Sequence, residues 1–124
     1  MDGKEGSGAR RSASVLVVED DQAVLDLLAE ALTDEGYRVR RAEDGMVALE
    51  EVGREPPDLV IADVHMPRLD GGQLVRRLRE WNLPVVLLSG DANWARTPGV
   101  AFVPKPFDLD HLLTVVARLL DDDE

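Results

Sequence analysis

Three short apolar segments of this chain lead into charged side chains. Segments 15–18, 59–62 and 100–103 consist of Val, Leu, Ile, Ala and Phe, and the charged residues that follow them include Glu19, Asp20, Asp63 and Lys105. Apolar runs of this length, with helical stretches between them, are typical of a parallel sheet that is buried on both faces. Because the carboxyl ends of parallel strands meet at one edge of the sheet, we expect these four side chains to converge.

Three carboxylates at one place repel one another unless a cation lies among them. A hard divalent cation with oxygen ligands, above all Mg²⁺, relieves that repulsion. A carboxylate oxygen beside Mg²⁺ can attack phosphorus to give an acyl phosphate, and a neighbouring lysine can pair with a phosphoryl oxygen. The sequence therefore predicts a metal-assisted phosphoryl-transfer site. Asp63 is the candidate nucleophile because it ends a fully apolar strand; the alternative is a carboxylate that caps the next turn.

The hydrophobic pattern predicts a single α/β domain of five strands that alternate with helices. Strands are predicted over 15–19, 38–42, 59–62, 85–88 and 100–103, and helices over 22–35, after Asp44-Gly45 up to Pro56, over 73–81, and after an N-cap at Asp108. The side chains expected to face inward from the third helix are Leu74, Val75, Leu78 and Trp81. The strand over 38–42 is less apolar than the others and is placed at the sheet edge. Right-handed crossovers then favour a flavodoxin-like, doubly wound (βα)₅ fold with strand order 2-1-3-4-5.

The segment between strands 4 and 5 has little helical periodicity. Residues 90–99 contain two glycines and a proline, so we expect the fourth helix to be degenerate or missing and replaced by a mobile loop with at most one helical turn. Trp94 in this loop has two interpretations. It either covers the gap left on the sheet, or it anchors a partner or a second copy of the chain.

Charge and composition exclude several other functions. The net charge of −11 argues against binding to nucleic acid or to an anionic membrane surface. The chain has no cysteine, which excludes disulfides and thiolate metal sites and is compatible with the cytoplasm. Residues 1–14 are predicted to be a flexible arm, 15–120 the folded domain, and 121–124 a solvated acidic tail.

The sequence lacks the motifs of other protein classes that bind or transfer phosphate. No Gly-x-x-x-x-Gly-Lys-Ser/Thr loop follows a strand, and no Gly-x-Gly-x-x-Gly follows strand 1. Asp63-Val64-His65 lacks the second aspartate that a haloacid-dehalogenase-type phosphatase uses as its general acid. His65 itself could offer its imidazole to a metal. Because Mg²⁺ prefers oxygen, we expect its backbone carbonyl to face the metal and its imidazole to face solvent.

In their order along the chain, these motifs resemble the receiver domain of response regulators in bacterial two-component signalling. The resemblance spans about residues 15–120. It rests on the stretches VLVVEDD (15–21), AEDG (42–45) with AL (48–49), DLVIADVHMP (58–67) with DG (70–71), PVVLLS (84–89) and KPF (105–107). Each stretch alone is a weak signal, whereas all of them in this order are a strong one.

The resemblance implies a role for each site residue. Asp63 is the phosphoacceptor, and Glu19 and Asp20 are the acidic pair, with Asp20 the direct Mg²⁺ ligand. Lys105 pairs with the phosphoryl group, and its bond to Pro106 is typically cis. The switch residues are Ser89, whose hydroxyl moves to the phosphoryl group, and Phe102 in the place of the aromatic switch residue. The implied donor is a sensor histidine kinase.

The chain departs from the family pattern in three places. Sixteen positions separate Ser89 from Lys105, which is shorter than usual by roughly one to two helical turns. Gly90 takes the place of a commoner alanine and should open access to the phosphoryl group. The chain ends after the last helix without an output domain, which predicts a stand-alone receiver.

Two functions remain open on the sequence. The first is a phosphorylatable switch that acts by binding a partner and has no enzymatic activity beyond its own phosphorylation and dephosphorylation. The second is a receiver-like adaptor that binds its partner constitutively, with phosphorylation vestigial. A receiver taken from a larger hybrid kinase, and a homodimer, are further alternatives.

Overall fold

A computed structural model describes residues 12–65, 69, 71–97 and 99–121 of the chain. In these residues five strands form one sheet: β1 (Ser14–Val18), β2 (Arg38–Ala42), β3 (Leu59–Asp63), β4 (Val85–Ser89) and β5 (Val100–Pro104). The α-helices are α1 (Gln22–Asp34), α2 (Gly45–Arg54), α3 (Gly71–Leu78) and α4 (Leu109–Asp121), and 3₁₀ helices span Arg79–Trp81 and Ala92–Arg96. All strand pairs are parallel and the order is β2-β1-β3-β4-β5. The predicted fold class and strand order are confirmed.

Both faces of the sheet are covered by helices. On one face Leu28 of α1 and Val116 of α4 join a buried cluster with the sheet. On the other face Val52 of α2 and Leu74 of α3 join a second buried cluster. Every residue of β3 and β4 is buried, which explains why these two strands read as continuous apolar runs in the sequence.

The end of α1 shows how short sequence signals place the helices. Gly36 has a φ of 99°, a left-handed conformation that glycine adopts without a Cβ clash. Its N–H donates to the carbonyl of Thr33, and the N–H of Tyr37 donates to the carbonyl of Leu32 at 3.2 Å. This pair of bonds is the Schellman motif. Gly36 therefore ends the helix as predicted, and Asp108 likewise caps α4 through Oδ1 and the N–H of Asp110.

The edge strand β2 carries three arginines, each bonded to another part of the chain. Arg38 Nε donates to the carbonyl of Ser12 at 2.9 Å. The guanidinium of Arg40 donates to two carbonyls at the end of α2 and pairs with the carboxylate of Glu51 at 3.0 Å. Arg41 pairs with Asp26 of α1 at 2.6 Å. Among the strands that the structure describes, β2 pairs with β1 alone, so its predicted place at the edge is confirmed.

The prediction that Trp81 faces inward is wrong. The α-helix starts at Gly71 and stops at Leu78, and the chain continues as a 3₁₀ helix over Arg79–Trp81. A 3₁₀ helix has about 3.0 residues per turn instead of 3.6, so its side chains rotate away from the apolar face of the preceding helix. Leu74, Val75 and Leu78 are buried, whereas Trp81 is 41% exposed.

The connection between β4 and β5 is short, as predicted. Its regular part is the 3₁₀ helix Ala92–Arg96, capped by Asp91, which accepts from the N–H of Asn93 at 3.0 Å. Five residues in this conformation make more than the single turn expected, because a 3₁₀ turn takes only about three residues. Trp94 is half-buried and packs against the cluster of α2 and α3. This contact favours the interpretation of Trp94 as a cover for the sheet.

The first strand begins at residue 14 and the last helix ends at residue 121, and the division of the chain into arm, domain and tail stays a prediction. β1 begins at Ser14, whose N–H donates to Asp58 at 2.8 Å, and the carbonyl of Ala13 accepts from the N–H of Arg38 at 3.0 Å. α4 includes Asp121. Residues 1–11 of the predicted arm and 122–124 of the predicted tail lie outside the described residues. Within the described residues, none of the helices is long and apolar enough to cross a membrane.

Truncation of Trp94 tests its role as a cover. We expect Trp94→Ala to lower the free energy of unfolding by about 1–2 kcal/mol, below the full cost of a deeply buried tryptophan because the side chain is half-buried. Trp81→Ala is the matched control and should cost less than about 0.5 kcal/mol. Urea unfolding measures both, and sedimentation should show unchanged association. Lost association at unchanged stability would instead identify Trp94 as an interface anchor.

Candidate functional site

The register of the sheet brings the ends of three strands to one level. Val18 of β1 pairs with Ala62 of β3, and Ala62 pairs with Leu87 of β4. Glu19 and Asp20 therefore leave β1 beside the end of β3, where Asp63 is the last strand residue. The backbone therefore brings these three carboxylates together, as the sequence predicts.

The three carboxylates form a compact acidic cluster. One oxygen from each of Glu19, Asp20 and Asp63 lies within 4.8 Å of the others. Glu19 and Asp63 are buried and Asp20 is exposed, so the cluster opens to solvent on the side of Asp20. Lys105 Nζ lies 3.1 Å from Asp63 Oδ2, and its side chain is one-third exposed. Lys105 thus brings a positive charge to this cluster at Asp63.

Glu19 is held at one oxygen and unpaired at the other. Its Oε2 accepts from the N–H of Asp21 at 3.1 Å, whereas Oε1 is buried and has no hydrogen-bond partner among the described residues. A buried carboxylate oxygen without a partner is costly. Burial, followed by the negative charge of Asp63, raises the pKa of Glu19 to about 7, against the opposing effects of the Asp21 N–H and Lys105. An oxygen donor in this situation fits a cation.

The backbone after β3 folds around Asp63. The N–H of Val64 donates to the carbonyl of Leu88 on β4 at 3.1 Å. The N–H of His65 donates to Asp63 Oδ1 at 3.3 Å, and the side chain of His65 is exposed. The exposed imidazole agrees with the interpretation that it faces solvent, and the role of the His65 carbonyl as a metal ligand stays a prediction.

Ser89 and Lys105 are joined through the backbone at the same edge. Ser89 is fully buried at the end of β4, and its carbonyl accepts from the N–H of Lys105 at 2.9 Å. Its Oγ accepts from the N–H of Asp91 at 2.9 Å, which leaves the hydroxyl proton free to donate. The bond between Lys105 and Pro106 is cis, as the family resemblance implied.

Phe102 is half-buried on β5 and pairs with Leu87 of β4. Asp63 pairs with the next residue of β4, Leu88, so Phe102 lies one register position below Asp63 in the sheet. Its role as a switch residue stays a prediction.

Two aspartates that position the site were missed in the sequence. Asp21 caps α1 by accepting from the N–H of Ala23 at 3.0 Å, and its own N–H holds Glu19. Asp91 caps the second 3₁₀ helix, and its N–H holds Ser89. A signal was present in each case, because an aspartate just before a helical segment is a common N-cap.

The fold and the site together define a flavodoxin-like α/β domain with an acidic pocket at the carboxyl edge of its sheet. Residues 15–117 match the family described as the response regulator receiver domain. The chain belongs to that family, as its motifs predicted. With the bacterial response regulators among its relatives, this membership places the chain in two-component signalling.

Individual relatives agree with this assignment. Response regulator MprA of Mycobacterium leprae (strain TN) is 41% identical over 114 residues, which cover 86% of this chain and 50% of the relative. The structure of the Francisella response regulator 1452 receiver domain superposes with a TM-score of 0.84 at 29% identity, over 90% of this chain and 99% of that one. A putative response regulator from Chloroflexus aurantiacus J-10-fl gives a TM-score of 0.79 at 32% identity, over 88% and 98%. The chain spans about half the length of the curated relatives it matches.

The raised pKa of Glu19 makes the stability of the metal-free protein depend on pH. At pH values between the ordinary pKa of 4.5 and the folded-state pKa of about 7, the carboxyl group of Glu19 is deprotonated in the unfolded chain and protonated in the folded chain. Stability should therefore fall as pH rises through this window, by about 3 kcal/mol from this group alone. Glu19→Gln cannot ionise at this position. The free energy of unfolding of this variant, relative to that of wild type, should therefore increase from pH 4.5 to pH 7.

Urea unfolding at pH 5 and pH 7.5 in a chelator measures this difference. Glu30→Gln, which changes an exposed glutamate of α1, is the matched control and should show the same offset from wild type at both pH values. An equally constant offset for Glu19→Gln would contradict the prediction.

Proposed function

We propose that this chain is a phosphorylatable receiver that takes a phosphoryl group onto Asp63 in an Mg²⁺-dependent step. The observation that supports this best is the position of the Asp63 carboxylate, within 4.8 Å of Glu19 and Asp20 and 3.1 Å from Lys105 Nζ. The proposed donor is a sensor histidine kinase or a phosphotransfer protein. The chain has no enzymatic activity beyond its own phosphorylation and dephosphorylation.

The transfer replaces one bond to phosphorus with another. A carboxylate oxygen of Asp63 attacks the phosphorus of a phosphohistidine and forms the O–P bond of an acyl phosphate. The N–P bond of the donor breaks, and its electron pair returns to the donor imidazole. Lys105, which lies beside Asp63 Oδ2 before the transfer, then forms a charge-assisted bond with a phosphoryl oxygen.

The residues proposed to hold Mg²⁺ are Asp20 and Asp63 directly, the carbonyl of His65, and Glu19 mostly through water. When bound, the cation neutralises the incoming phosphoryl oxygens. The all-oxygen donor set and the unpartnered Glu19 Oε1 suit a hard cation.

Ser89 and Phe102 are the proposed switch residues. The Ser89 hydroxyl moves to the phosphoryl group and exchanges its contact with the N–H of Asp91. That movement, with a change at Phe102, shifts the population of two conformations and alters binding to a downstream protein partner. A net charge of −11 supports a protein partner rather than nucleic acid or an anionic membrane. The proposed compartment is the cytoplasm.

A small-molecule phosphodonor tests the proposal directly. Incubation with acetyl phosphate and Mg²⁺ should add the mass of one phosphoryl group to the intact chain, and a chelator should prevent the addition. A chain that shows no increment under conditions that label another receiver would overturn the proposed function.

The second candidate is a constitutive adaptor. It is favoured by the connection between β4 and β5, whose described residues hold a five-residue 3₁₀ helix. At this place the family resemblance implies an output surface built on a longer helix. Under this alternative the unphosphorylated chain and the Asp63→Asn variant bind the partner equally well. Partner binding that requires phosphorylation would exclude it.

A further inference from the structure

We propose that Gly45 is a positioning residue for the phosphoacceptor site. Gly45 is the first residue of α2, and Leu69, which lies between β3 and α3, approaches it directly. The absence of a side chain at Gly45 makes room for Leu69, six positions after Asp63. The inference rests on the function proposed above for Asp63.

The contact between Gly45 and the loop leaves no room for a methyl group. A Cβ built on Gly45 would lie 2.6 Å from the carbonyl oxygen of Leu69 and 2.8 Å from its Cβ. These are the backbone and the first side-chain atom of Leu69, so a rotamer change cannot remove the clash. Gly45 does not have a positive φ, so its backbone would otherwise accept an alanine. The close approach is therefore the reason that this position needs a glycine.

Helix α2 is held along one face and at both ends. Ala48 and Val52 are fully buried in the cluster with α3. The side chain of Asp44 accepts from the N–H of Val47 at 2.9 Å at the start of the helix. At its end the guanidinium of Arg40 donates to the carbonyls of Glu51 and Glu55. Because the helix is anchored in these ways, we expect a methyl group at Gly45 to displace Leu69.

Leu69 is close to the site along the chain. It lies six positions after Asp63 and is 4% exposed. Nearer the site, the N–H groups of Val64 and His65 are bonded to Leu88 and to Asp63 itself. Because only six positions connect Leu69 to Asp63, we expect a shift of Leu69 to disturb the carboxylate and the His65 carbonyl. Small displacements of this kind in supporting elements loosen a site without unfolding the protein.

The test compares two glycines of the same helix. Gly45→Ala should weaken Mg²⁺ binding to the unphosphorylated protein, measured by titration calorimetry, by about tenfold, and slow labelling by acetyl phosphate by a similar factor. A Cβ at Gly53 meets nothing within 4 Å, so Gly53→Ala should leave both quantities unchanged. Val52→Ala lowers stability within α2 about two helical turns after Gly45, and it should also keep wild-type Mg²⁺ affinity while the chain is folded.

Each outcome decides the inference. Wild-type Mg²⁺ affinity in folded Gly45→Ala overturns it, as does an equal loss in Val52→Ala, which would make the effect one of general stability. A Gly45→Ala chain that does not fold overturns it too, because the glycine would then serve the fold as a whole rather than the position of the site. Failure of the wild-type chain to label would count against the proposed function alone, since the Mg²⁺ affinities still test the role of Gly45.

Discussion

Asp63→Asn is expected to abolish labelling by acetyl phosphate and Mg²⁺. The amide is almost the same size as the carboxylate but lacks the anionic oxygen that attacks phosphorus. Asp63 also belongs to the acidic cluster, and its Oδ2 lies 3.1 Å from Lys105 Nζ. Intact-mass measurement over a time course follows the increment in both proteins, and the signal from the variant should stay at background.

Two controls separate loss of the acceptor from loss of the fold. Asp110→Asn changes an exposed aspartate of α4 and should label at the wild-type rate. Urea unfolding should show that Asp63→Asn is folded, and it is expected to be at least as stable as wild type without Mg²⁺, because it removes one buried negative charge from a crowded site. Labelling of the variant at the wild-type rate would mean that another group is the acceptor.

The second large effect is expected for metal binding. Asp20→Ala should weaken Mg²⁺ binding by roughly 100-fold, equivalent to about 3 kcal/mol, because it removes the exposed carboxylate of the cluster and a proposed direct ligand. His65→Ala keeps the backbone carbonyl and removes only an exposed imidazole, so it should change the affinity by less than about twofold.

Titration calorimetry on the unphosphorylated protein measures the two variants under identical conditions. The affinity of Asp20→Ala should remain low at every pH at which the protein is folded. Comparable losses in Asp20→Ala and His65→Ala would point to the imidazole as a ligand and would contradict the proposed coordination.

The site could be predicted from the sequence because its residues lie at the ends of apolar strands. Strand ends in a parallel sheet converge as a matter of topology, so Glu19, Asp20, Asp63 and Lys105 could be grouped without any knowledge of their side-chain contacts. The edge position of β2 could be predicted because this strand is less apolar than the others.

The features that could not be predicted depend on contacts between distant segments or on the local helix type. Trp81 fits the period of α3, but the switch to a 3₁₀ helix after Leu78 turns it outward. That Glu19 Oε1 has no hydrogen-bond partner among the described residues becomes visible only when the donors of those residues are placed around it. In the sequence, nothing distinguishes Gly45 from an ordinary turn residue. The structure shows that Leu69, which lies 24 positions later, comes too close to Gly45 for a side chain to fit.

The three arginines of β2 have a consequence for how copies of this protein meet one another in solution. An uncovered edge strand offers unpaired N–H and C=O groups on which another strand can assemble, which is the first step toward fibrils. Two β2 strands brought side by side would place the guanidinium groups of Arg38, Arg40 and Arg41 against those of the second copy. Like charges opposed across such a pair are destabilising. Because these guanidinium groups are tied to Ser12, Glu51 and Asp26, they cannot easily swing aside, and the edge resists strand addition.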